Sequence, residues 1–172
     1  MLSGCKPGCV LTISAERNRT QAFHRAIMAG LENYHTENGE YPVPVQPSAR
    51  AVIDGLDCEI SGALMLYQAM SGDGNDRIKT ALKPRPSNGK IDNEELHSVF
   101  LKEMPLEMIL KTDAGWILVD GFRHPFQYSS GTPACINSSY DVWSFAGQVP
   151  PPKVTVEDKK AQGVKGTWIT NW

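Results

Sequence analysis

Long apolar runs are missing from this 172-residue chain. A membrane-crossing helix needs about 20 consecutive apolar residues, and the longest stretches here, such as Trp116-Ile-Leu-Val119, are strand-sized. A surplus of charge is missing too, since 17 Lys and Arg face 19 Asp and Glu for a net of −2. That balance supplies no field to draw nucleic acid or an anionic membrane. Cysteine is scarce: Cys5, Cys9, Cys58 and Cys135 make one close pair with no second pair after it, which excludes a four-ligand zinc pattern. Catalytic signatures are absent as well. His24, His35, His97 and His124 belong to no Gly-x-Ser-x-Gly elbow and no His-Glu-x-x-His helix. Nothing pairs a nucleophile with a base, so the chain reads as a non-enzyme. There is no internal repeat.

What is present describes one globular domain. Hydrophobic residues make up 41% and charged residues 21%, a composition that builds a core at this length. Four cysteines suit an oxidising compartment. A Cys58–Cys135 disulfide belongs to one of three possible pairings, and two separately buried thiols is the other reading of that pair. At the amino terminus Leu2-Ser-Gly-Cys5 resembles a lipoprotein attachment box, yet no basic and apolar region precedes it. Residues 1–13 are therefore read as a truncated or non-native start, with Pro7 and Gly8 opposing a helix. Residues 14–172 form the domain.

The spacing predicts a long helix from an N-cap at Ser14, with Glu16 in its first turn. Phe23, Ile27, Leu31 and Tyr34 recur on one face. His24 and His35 fall on the outer side in that register. Asn38-Gly39 and Pro42 stop the helix. A second helix is expected over about 57–70, with Ile60, Leu64, Tyr67 and Met70 inward. A third runs from Asp92 or Asn93 through Leu96, Val99 and Phe100. Ser71-Gly-Asp-Gly-Asn-Asp76 keeps part of a calcium-loop spacing at Asp73 and Asn75, but Arg77 and Ile78 follow, so it reads as a glycine-rich turn. Pro84–Gly89 is a surface loop.

Strands then take over at Trp116–Val119, Phe126–Tyr128, Tyr140–Phe145 and Trp168–Trp172. Tyr128, Trp143, Trp168 and Trp172 read as core and cross-strand packing rather than a ligand platform. Residues 157–166, with Lys159, Lys160 and Lys165, read as a mobile, solvated loop. The sum is an α+β fold: one long helix packed on a small antiparallel sheet of about four strands, with inserted short helices.

Four pieces in this order carry a resemblance. A helix running into Tyr34 and Asn38-Gly-Glu-Tyr-Pro42 is similar to the stem–head junction of type II secretion pseudopilins and related type IV pilin-like proteins. Asp120-Gly-Phe-Arg-His-Pro-Phe-Gln-Tyr128 resembles that family's Asp-x-Trp-Gly-x-Pro-x-x-Tyr, with Phe122 and Arg123 substituted. Tyr140-Asp-Val-Trp-Ser144 resembles its Tyr-Asp-Leu-Trp-Ser, and Ile169-Thr-Asn-Trp172 its closing strand. The matching positions are Tyr34, Gly39, Tyr41, Pro42, Asp120, Pro125, Tyr128, Asp141, Trp143, Ser144, Asn171 and Trp172.

The resemblance implies a pilin-like fold and a structural subunit of a secretion pseudopilus or related filament. It further implies self-association with like subunits and contacts with other secretion components, no small-molecule substrate, and a periplasmic location with an inner-membrane anchor. The anchoring apolar helix of that family is not in this sequence, so the chain is expected to be the ectodomain of a longer product. The alternative is a surface-exposed or lipid-anchored binding module on the same fold. In the major pseudopilins a loop after Trp-Ser supplies aspartates to calcium. Here Ala146-Gly-Gln-Val149 and Gly166-Thr-Trp168 stand at those places and only Glu157 and Asp158 lie nearby, so no cofactor is expected.

Overall fold

The structure, a computed structural model, describes residues 7–44, 48–71, 104–131 and 133–172. The expected turn after Ser71, the loop at 84–89 and the helix from Asp92 or Asn93 lie outside the described residues.

Helix α1 spans Pro7–Asn38. Its start precedes the expected Ser14 cap, because a proline at the first helical position gives up only an amide that has no partner there anyway. Glu16 consequently sits well inside the helix. Phe23, Ile27, Leu31 and Tyr34 are buried as their spacing required. At the far end the Gly39 amide donates to His35 O (2.8 Å) and Gly39 adopts φ +75°, the left-handed turn that ends a helix.

A hairpin follows where a helix was expected to start. Strands β1 (Arg50–Ile53) and β2 (Leu56–Glu59) pair antiparallel, with Val52 opposite Asp57. Their connection is Asp54-Gly55, both at positive φ, and Asp-Gly is a strong two-residue hairpin signal. Arg50 Nε reaches both oxygens of Asp57 at 3.0 Å, which ties the strands across the register. The second helix, α2, is thus shortened to Ser61–Ser71. Every one of its residues is buried, since it runs between α1 on one side and strands of two sheets on the other.

A 3-10 turn at Leu106–Met108 leads into β3 (Ile109–Thr112), which pairs with β4 (Gly115–Leu118). Then β5 (Gln127–Ser130), β6 (Tyr140–Ser144) and β7 (Ile169–Thr170) form a three-stranded antiparallel sheet with β6 at its centre. The expected single sheet is in fact three small ones, two hairpins and this triplet. Between β4 and β5 the chain makes the isolated bridge Val119–Pro125, flanked by the Phe126 amide donating to Leu118 O (3.1 Å) and the Asp120 amide donating to His124 O (2.8 Å).

The expected mobile loop at 157–166 is also overturned. Val156–Lys165 is a helix, α3. Thr155 caps it through the Asp158 amide while the Asp158 carboxylate returns to the Thr155 amide, and Gly166 ends it at φ +63°. The fold class stands as α+β. Its main core joins α1, α2, β4, β5 and β6; a second packs the two hairpins on α2; a third gathers Trp143, Phe145 and Trp168. Among the described residues no helix is long and apolar enough to cross a membrane.

Candidate functional site

Three bonded clusters hold almost all the residues singled out by the family pattern, and each sits where two elements must be fixed to one another. The first is the end of α1. The Glu32 carboxylate accepts from two phenols, Tyr41 Oη at 3.0 Å and Tyr140 Oη at 2.9 Å. The Tyr41 and Tyr140 rings lie 4.8 Å apart, and His35 stacks on Tyr41 at 4.4 Å. Tyr128 Oη donates to Pro42 O at 2.9 Å. Helix, connector and sheet are therefore pinned together, with Tyr34 buried beneath them. Burial raises the Tyr128 and Tyr140 phenols above their ordinary range, and the Glu32 bond adds to this at Tyr140.

The second cluster is the turn at 120–125. Asp120 is fully buried, and its Oδ1 accepts from the amides of Phe122 (2.8 Å) and His124 (2.9 Å). Its Oδ2 accepts from Ser144 Oγ, which in turn accepts from the Ala146 amide. Burial pushes the Asp120 carboxyl up against these bonds, which pull it down. The neighbouring Gly121 amide donates to Thr20 Oγ1 at 2.9 Å, and a Cβ built on Gly121 would stand 2.5 Å from Glu16 O. That approach seats the turn directly on α1.

The third cluster closes the carboxy-terminal sheet. Asn171 Oδ1 accepts from the Val142 amide at 2.9 Å and its Nδ2 donates to Tyr140 O at 3.1 Å, so its side chain extends the β6–β7 ladder. Trp143 and Trp172 meet edge to face at 5.8 Å. Lys159, expected in a solvated tip, is instead buried, and its Nζ donates to Asp141 Oδ2 (2.9 Å), Ser129 Oγ (2.8 Å) and Ala134 O (2.7 Å). The ammonium also lies 4.4 Å from the centre of the Trp143 ring. Sequence reasoning missed Lys159 because the capping box Thr155-x-x-Asp158, which was legible, went unread; without that helix nothing turns Lys159 inward.

Two more expectations are corrected here. Cys58 and Cys135 are separate buried free thiols: Cys58 packs in the hairpin core, whereas Cys135 Sγ lies 3.4 Å from Ser129 Oγ. His24 is buried rather than outward, because β6 crosses α1 there and Val142 O, at 2.9 Å, bonds its Nε2. The side chains of Cys5 and Cys9, and all of His97, lie outside the described residues.

The chemistry these clusters support is cohesion. The one proton of Ser144 goes to a carboxylate, His24 is bonded to a backbone carbonyl, and Asp141 is occupied by two amides and a lysine. Among the described residues no group of acidic, histidine and cysteine side chains could hold a metal ion. Two open grooves of about 560 and 590 Å³ flank the body, one between the hairpins beside Arg50 and Arg123, the other between α1 and β7 beside Arg25 and Trp172. No protein-family model, curated protein or solved structure matches the chain.

Proposed function

We propose that this chain is the pilin-like head of a filament subunit, of the kind that stacks into a type II secretion pseudopilus or a related type IV filament in the bacterial periplasm. The observation that carries the reading is the division of α1. From Glu16 to Tyr34 the helix is held by the head, through the approach of Gly121 to Glu16 O, the Arg17 bond to Thr167 O (3.0 Å) and the buried stripe from Thr20, whereas from Thr12 to Ala15 every side chain is exposed. At 1.5 Å per residue, a 32-residue helix is about 48 Å long, so the head covers part of a rod and leaves the rest for neighbours. The junction and sheet clusters support the same reading, since they couple the head to that rod. Of the aromatics that a binding module would use, Trp143 and Trp168 are 4% and 7% exposed, and Trp172 is half-buried at the groove beside β7.

In this proposal the subunit acts by packing, its apolar stem in a filament core and its head beside other heads. A photo-crosslinking residue placed at Arg19, in the chain expressed from its genomic reading frame, tests it. Cross-linked ladders of this subunit in cell envelopes are expected. Monomers alone, or a frame ending in a lipoprotein signal at Cys5, would discard the filament reading.

A further inference from the structure

The family resemblance implies calcium near the loop that follows β6, and the residues present do not fit that ion. Calcium takes six to eight oxygen ligands, with carboxylates prominent among them. Near the α3 segment, Asp158 is engaged by the Thr155 amide (2.9 Å) and hydroxyl (2.7 Å) as part of the helix cap. Glu157 is exposed on the same turn. Asp141 is the buried carboxylate there, and its oxygens accept from the amides of Ile136 (2.7 Å) and Asn137 (3.0 Å) and from Lys159. A second cation at Asp141 would meet the lysine ammonium within a few ångströms, where like charges repel strongly.

We infer that Lys159 is this head's resident cation. Its ammonium sits in a cage of three oxygens, Asp141 Oδ2, Ser129 Oγ and Ala134 O, and thereby joins α3 to β5, to the turn before β6 and to β6 itself. An ammonium has three protons to donate, and the three bonds use all of them. The Trp143 face closes a further side of the cage, and Trp172 Nε1 donates to Lys159 O at 3.1 Å, so the backbone carrying the lysine is fixed as well. The cation is covalently part of the chain, so the carboxy-terminal segment folds onto the sheet without drawing a metal from its surroundings. This holds whether or not the chain assembles into filaments.

Thermal melts and amide exchange of the whole chain test the inference. Wild-type protein should melt at the same temperature in excess EDTA and in millimolar calcium. Lys159→Met, close in length but uncharged, strands Asp141 in the interior. It should lower Tm by roughly 10 °C and cost α3 amides on the order of a hundredfold in exchange protection relative to α2. Lys159→Arg keeps a cation beside Asp141 and Trp143 and should retain most of both. Should Lys159→Met fail to fold while Lys159→Arg folds, the requirement for a cation is shown equally. A wild-type Tm that rises with calcium or falls with EDTA overturns the inference, as does a Lys159→Met protein with unchanged melting and α3 exchange.

Discussion

His24 shows how a single side chain is recast by what crosses it. It lies four residues beyond the buried Thr20 and three before Ile27, on a row that the sheet covers. Burial lowers its pKa below the ordinary 6.5; the Val142 bond opposes the shift and Arg25 adds to it. The folded chain therefore holds a neutral imidazole, while the unfolded chain protonates normally. Native stability is full above about pH 6.5 and declines as pH falls below that value, because the unfolded state then binds the extra proton. Melting curves between pH 7.5 and 5 should show this slope in wild type and a flatter one in His24→Gln. Asp120, whose carboxyl is raised, titrates in both proteins, so their difference reports the histidine. An identical slope in the two would show that His24 is not buried neutral.

Among the elements, those legible in the sequence were those with a strong period. The stripe Phe23, Ile27, Leu31 and Tyr34 placed the face of α1, and Gly39 its end. The strands around Tyr128 and Trp143 were legible through their aromatic and β-branched content, and so was the inward fate of those rings. Short elements defined by turn chemistry were not. Asp54-Gly55 specified a hairpin that the helix-like spacing of Ile60, Leu64 and Tyr67 obscured. Thr155-x-x-Asp158 specified a helix inside a polar stretch that carries almost no apolar period. The close packing of α2 was equally invisible, since it depends on which strand lies above it. A Cβ built on Gly62 would stand 2.7 Å from the Tyr128 amide nitrogen. Gly62→Ala should therefore destabilise by about 1–3 kcal/mol in denaturant melts, because main-chain atoms must shift. A neutral or stabilising result, the ordinary outcome of removing a helix glycine, would mean that α2 can lift from β5.

For the whole molecule, the division of α1 predicts a division of stability. Residues 20–34 share the core and should exchange their amides only on global opening. The turns before them carry no buried side chain among those described, and a helical extension of that length gains little from hydrogen bonds alone. Hydrogen exchange on the isolated chain should find amides of residues 10–15 at least about a hundredfold less protected than those of residues 23–34. If the chain stacks as proposed, that contrast should shrink on assembly. Uniform protection along α1 of the isolated chain would imply that the first turns are held by the head itself, leaving nothing for a neighbour to cover.

The two phenols on Glu32 have a mechanical consequence. Because one carboxylate on α1 accepts from Tyr41 on the connector and from Tyr140 on the central strand, rotating the helix against the sheet has to break two hydrogen bonds to one side chain together. Losing the Glu32 carboxylate would therefore free the connector and the strand from the helix in a single step.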